Sequence, residues 1–204
     1  PAAGLFGLSG GSGTSATGTT VTQTTTPTSS SSTTAATGAC TPLPTTKAFQ
    51  KVDGDPADYS LGPDGGFENG GAGWTFTGGA KVVSGNETLG FLKGPISAGS
   101  KTLALPVGST ANSPEFCVDE TTTYFRFMAK PTGAMAGYQA IVLYRNASGK
   151  VTEAQFTSSK DITWGDGKWS PSAVSPLATK IPLASGATAS VQIKFVSTGN
   201  QTAV

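Results

Sequence analysis

The residues best equipped for chemistry are aromatic and acidic. In Trp164-Gly165-Asp166-Gly167-Lys168-Trp169, two indoles flank a carboxylate. Indole faces stack on sugar rings and a carboxylate accepts hydroxyl hydrogen bonds, so Trp164, Asp166 and Trp169 form a candidate polysaccharide platform. The competing reading, which the pattern favours, makes Trp169 a core residue and leaves only Trp164 at the surface. Two carboxylate pairs, Asp119/Glu120 and Asp161/Asp166, have the residue types of a glycosidase. Both lie in turn-like contexts, where solvated charges are expected. The chain has no histidine, so no Ser-His-Asp or Cys-His nucleophile can be assembled. Gly-rich phosphate or dinucleotide motifs are absent as well. The expectation is a non-catalytic protein that needs no cofactor, with calcium considered below.

Cys40 and Cys117 are the two cysteines of the 204-residue chain. With neither a nearby second cysteine nor a histidine, a zinc site has no ligand set. One disulfide in an oxidising compartment is the main reading, and two buried thiols the other. Thirteen basic residues against twelve acidic ones give a formal charge of +1, and the basic residues are scattered. That pattern offers no surface for nucleic acid. No apolar run reaches the roughly 20 residues of a membrane span. Pro1-Ala2-Ala3-Gly4 reads as the end left by signal-peptide removal, which places the protein outside the cell.

The elements that must position these residues are strands. Phe125, Phe127 and Ala129 alternate with Tyr124, Arg126 and Met128, and Ala189, Val191, Ile193 and Phe195 alternate with Ser190, Gln192 and Lys194. Period-two patterns of this kind predict half-buried antiparallel strands. Tyr138 to Tyr144 is apolar on both faces, as in a central strand, and Asn146-Ala147-Ser148-Gly149 turns it into a hairpin with 150–157. Shorter strands are expected near 73–77, 80–84, 101–105, 114–118 and 177–183. With 28 glycines and 13 prolines for turns, the fold class is an all-β antiparallel β-sandwich or jelly roll.

The segment Asp64-Gly65-Gly66-Phe67-Glu68-Asn69-Gly70, followed by Gly73-Trp74-Thr75 and Gly78-Gly79-Ala80, resembles the opening of jelly-roll carbohydrate-binding modules. Trp169-Ser170 and Ser190–Val196 are similar in order and spacing, so the resemblance covers about 64–196. It implies a sandwich fold, and it places Glu68 near a structural calcium. Asp53, Asp55, Asp58 and Asp64 would supply hard oxygen ligands; the competing reading is a set of solvated turn carboxylates. Modules of this kind close with one more strand than this chain has after Val196, so the sandwich is expected to lack a strand. An unpaired sheet edge invites a strand from another molecule.

Two regions follow: a 1–46 extension and a 47–204 sandwich domain. No charged residue precedes Lys47, and residues 1–40 are mainly Thr, Ser and Gly. Such a segment cannot order itself, and reads as a stalk, an aggregation-prone linker or a strand awaiting a partner. Thr19–Thr26 has high β-propensity. Leu5, Phe6, Leu8 and Val21 are the candidate donor-strand residues. The preferred reading is an extracellular homopolymer, a pilus-like filament in which the extension completes a neighbour's sandwich. The alternative is a carbohydrate-binding or adhesive module on a Thr/Ser-rich stalk. Asn86, Asn146 and Asn200 begin N-glycosylation triplets.

Overall fold

The computed structural model describes residues 2–10, 40–41, 43–86, 99–130, 132, 137–145, 150–158, 167–177 and 186–198. They form two antiparallel sheets packed face to face. The first holds β1 (Ala2–Gly10), β2 (Thr45–Thr46), β3 (Tyr59–Leu61), β5 (Lys81–Ser84), β6 (Lys101–Ala104), β9 (Thr122–Lys130), β12 (Ser170–Pro171) and β13 (Ser175–Pro176). The second holds β4 (Thr75–Thr77), β7 (Thr110–Asn112), β8 (Phe116–Asp119), β10 (Tyr138–Arg145), β11 (Val151–Ser158) and β14 (Thr188–Ser197). A single helical turn, α1 (Gln50–Asp53), precedes β3.

Side-chain alternation explains why these segments pair as they do. Along β14, Val191, Ile193 and Phe195 are buried while Gln192 and Lys194 are half-exposed. That strand lies inside the second sheet, between β10 on one edge and β7 and β8 on the other. β10, with Ala140, Ile141 and Val142 all buried, is interior between β14 and β11. Between the sheets, Phe127 packs edge-on against Phe195 at 4.9 Å and against Tyr138 at 5.3 Å, and Trp74 stacks on Phe195 at 6.2 Å. The Trp74 indole N–H reaches the Pro63 carbonyl at 2.9 Å, so its polar atom is satisfied without leaving the core.

The first sheet departs from the expectation of half-buried strands. On β9, every residue from Phe125 to Ala129 is buried, Arg126 and Met128 included. The reason is a second apolar layer on the outer face of this sheet. Ala48, Phe49, Tyr59 and Met128 form it, with Val52, Ala57, Leu61 and Trp169 against its margin. The segment around α1 therefore acts as a lid over β9 and its neighbours, and period-two alternation alone could not reveal it.

Candidate functional site

The most unusual place in the fold is the seat of β1. This strand lies within the first sheet with β9 along one edge; β6 and β3 share the other. Ala2 and Ala3 stand opposite Ala104 and Leu103 of β6, and Gly7, Leu8 and Ser9 opposite Leu61, Ser60 and Tyr59 of β3. Along β9 the register runs from Ala2 opposite Lys130 to Gly10 opposite Thr122, with irregularities between Ala3 and Phe6 and between Ser9 and Gly10. An interior strand satisfies its backbone donors and acceptors on both sides.

Opposed residues of an antiparallel pair share a sheet face. Phe6 stands opposite Phe127 and Leu8 opposite Phe125, and those two phenylalanines belong to the core between the sheets. Gly7 stands opposite Arg126, whose side chain belongs to the outer face. Of the four candidate donor-strand residues, Phe6 and Leu8 thus pair in the ladder with core residues of β9. Leu5 lies in the irregularity between Ala3 and Phe6, and Val21 is outside the described residues. Thr19–Thr26 is outside them too.

Above the outer face sits an ion network. Arg126 is 3% exposed. Its guanidinium donates to the Ser172 carbonyl through Nε at 3.0 Å and Nη2 at 2.8 Å, pairs with Asp55 at 2.8 Å, and pairs with Asp53. It also lies 4.5 Å from the centroid of the Phe49 ring, which meets Tyr59 edge-on at 5.0 Å. The Tyr59 hydroxyl donates to Asp55 at 2.7 Å. Since Arg126 is on β9 and Tyr59 on β3, Asp55 joins the two strands that flank β1. Burial alone would raise the Asp55 pKa, but bonds from Tyr59, the Ala57 N–H and Arg126 outweigh it and hold the carboxyl below its ordinary value. The Tyr59 phenol is pushed upward by burial and by its carboxylate neighbour. Residue types alone gave one signal for this network: a lone arginine inside an apolar strand.

The calcium candidates are drawn into other bonds. Asp53 and Asp55 face the Arg126 guanidinium, whereas Glu68 accepts from the Ser100 N–H at 2.7 Å and the Lys101 N–H at 2.8 Å. Among the described residues, no group of three or more His, Cys, Asp or Glu is placed to hold a metal ion. Asp64 closes its own loop, accepting from the Gly71 N–H at 2.8 Å and the Ala72 N–H at 2.9 Å. Trp169 is half-buried and packs against the outer apolar layer, while Trp164 and Asp166 are outside the described residues. Asp119 accepts from Thr121 and from the Cys40 N–H, and Glu120 from the Gly186 N–H. Asn86 is half-buried beyond β5; Asn146 and Asn200 are outside the described residues.

Cys40 and Cys117 form a disulfide with a Cα–Cα distance of 5.7 Å. It fixes the chain to β8, in the second sheet, at the point where the N-terminal extension meets the sandwich. Residues 11–39 thus connect a strand of one sheet to an anchor on the other.

No protein-family model matches the chain, and no curated protein matches it. Solved structures similar to it are carbohydrate-binding modules. One is the C-terminal family 22 module of Clostridium thermocellum Xyn10B, 18% identical, with 68% of this chain and 90% of that chain covered and a TM-score of 0.34. A second is a xylan-binding domain of the same family, formerly called x6b, at 17% identity, the same coverage and a TM-score of 0.33. A third, from the β-sandwich superfamily of such modules, is 15% identical, with coverage of 66% and 54% and a TM-score of 0.31.

Proposed function

We propose that this chain is a non-catalytic extracellular structural subunit that polymerises by strand addition, residues 2–10 of one copy entering the first sheet of the next. One observation carries the reading: a strand at the interior of a sheet is joined to the strands that follow it through the long, uncharged stretch 11–39 and an anchor at Cys40. A strand so connected can be supplied by its own chain or by another with the same backbone ladder, which is the condition for exchange between identical subunits. The lack of charge before Lys47 supports this, since a Lys or Asp entering an interior strand would be desolvated without a partner. The test is removal of residues 1–37 followed by electron microscopy and sedimentation. The reading requires that no filaments form, and filaments of normal appearance from the shortened chain would overturn it.

Carbohydrate binding, for which the similar solved structures are named, is the alternative, and those likenesses favour it over assembly. Their similarity is too low to carry it to this chain. On that reading Trp164 would be the stacking residue, since Trp169 is packed into the outer layer. Trp164→Ala should then weaken binding to xylan or a related glycan by about 1–3 kcal/mol with the melting temperature unchanged. Absence of binding across a broad glycan array would remove this alternative.

A further inference from the structure

The seat of β1 reads one position of the incoming strand in particular. In the ladder, residue 7 is flanked by Arg126 of β9 and Leu61 of β3. Residue 9 is flanked by Tyr124 and Tyr59. Residues opposed in this way share the outer face of the sheet. That face carries the guanidinium of Arg126, held by Ser172, Asp53 and Asp55, and the Tyr59 hydroxyl bound to the same Asp55. Phe49 and Tyr59 are each 0% exposed and Arg126 is 3% exposed, so the aromatic and guanidinium groups of this layer are themselves closed to water, while Leu61 beside residue 7 is half-buried and Tyr124 beside residue 9 is exposed. The sequence places a glycine there, between the large apolar residues Phe6 and Leu8.

We infer that Gly7 sets the register of the donated strand, because the Arg126–Asp55–Tyr59 bridge closes over position 7 and admits a strand only where that position has no side chain. A shift by one residue would bring Phe6 or Leu8 beneath the bridge and turn the whole apolar set to the wrong face. The bridge and the glycine together therefore select both the occupant and its alignment. Ala2, by contrast, stands at the end of the ladder, opposite Lys130 and Ala104, which are half-buried. The inference deepens the assembly reading and rests on it for the source of the strand, a second copy of this chain.

Full-length Gly7→Val and Ala2→Val proteins test it, with amide hydrogen exchange of residues 2–10 and filament yield as readouts. The expected result is at least a tenfold loss of protection at 2–10 and no filaments for Gly7→Val, with both retained by Ala2→Val. Retained protection and normal assembly of Gly7→Val would overturn the inference and leave the assembly reading standing. Equal loss in both variants would also overturn it. If the unaltered chain protects residues 2–10 yet never assembles, while Gly7→Val loses that protection, the seat is as inferred and the assembly reading fails. A further measurement leaves the subunit unmutated: a synthetic peptide of residues 1–10, in excess, should cap growing ends, and the Gly7→Val peptide should not. Equal inhibition by both peptides, or by neither, counts against the glycine.

Discussion

At the scale of single residues, the carboxylates dictate how the fold responds to acid. Asp55, Glu68 and Asp119 are each subject to burial, which would raise their pKa values. Hydrogen bonds outweigh it and hold all three below the ordinary value. Asp55 has Tyr59, Ala57 and Arg126; Glu68 has the Lys101 and Ser100 N–H groups; Asp119 has Thr121, Cys40 and Thr122. A group whose pKa is lower folded than unfolded stabilises the fold above its unfolded value, about 4, and ceases to do so as pH falls through its folded value. The urea midpoint should therefore be flat from about pH 5 to 8, where a chain with no histidine has no side chain to titrate, and decline below about pH 4. A midpoint that rises on acidification would contradict these bonds. Arg126→Met tests the network directly. It leaves Asp53 and Asp55 facing each other without their cation, at a cost of about 2–4 kcal/mol, below the range for fully buried pairs because Asp53 is partly exposed. Gly99 makes a second demand, because a Cβ there would collide with the Glu68 carboxylate. Gly99→Ala should lower the melting temperature, and Glu68→Gln in the same chain should not restore it, since the amide occupies the same space.

At the scale of elements, how much could be read from the sequence depended on length and period. β9, β10, β11 and β14 run for eight to ten residues, long enough for alternation or a two-faced apolar run to stand out. β2, β12 and β13 are two residues long, a single period of strand alternation, with no repeat to recognise. The apolar cluster Leu5, Phe6, Leu8 was legible as a donor-strand candidate, but the span of its strand was not, because the glycines around it argue against a strand. β-propensity pointed instead to Thr19–Thr26. Propensity describes an isolated surface, whereas what favours β1 is the pair of edges waiting on β9 and on β3 and β6. Of the candidate site, the disulfide was legible and the Arg126 network was not, since Asp53, Tyr59 and Arg126 meet only through tertiary packing. The disulfide is the firmest constraint on the extension. It joins cysteines 77 residues apart, and on the chain-entropy model its loss costs about 4–5 kcal/mol. Thiol titration of the denatured, unreduced protein should find no free thiol and, after reduction, two. Reduced protein should also show a lower urea midpoint.

At the scale of the whole molecule, the proposed strand exchange gives the same strand and the same seat two states. In a closed monomer, β1 fills its own sheet; in a polymer, it fills a neighbour's. The backbone ladder and the core rows are common to both, so their contact energies nearly cancel in the comparison. What remains is concentration. A tether of roughly 30 residues has a root-mean-square span of about 30 Å and gives its strand an effective concentration on the order of 1 mM at its own seat. Micromolar protein refolded from denaturant should therefore close on itself and stay monomeric, and polymerisation should need either protein near that concentration or an end that already presents an open seat. Preformed fragments offer such ends, and each addition regenerates one. The expected outcome is a lag for dilute monomer that shortens in proportion to added fragments, followed by light scattering and checked by electron microscopy. A shorter tether strains closure before it prevents reach to a neighbour, so removing residues 14–30 should raise filament yield at a fixed concentration. If that deletion lowers the yield, or if the lag is insensitive to added fragments, exchange of β1 is not how the copies join.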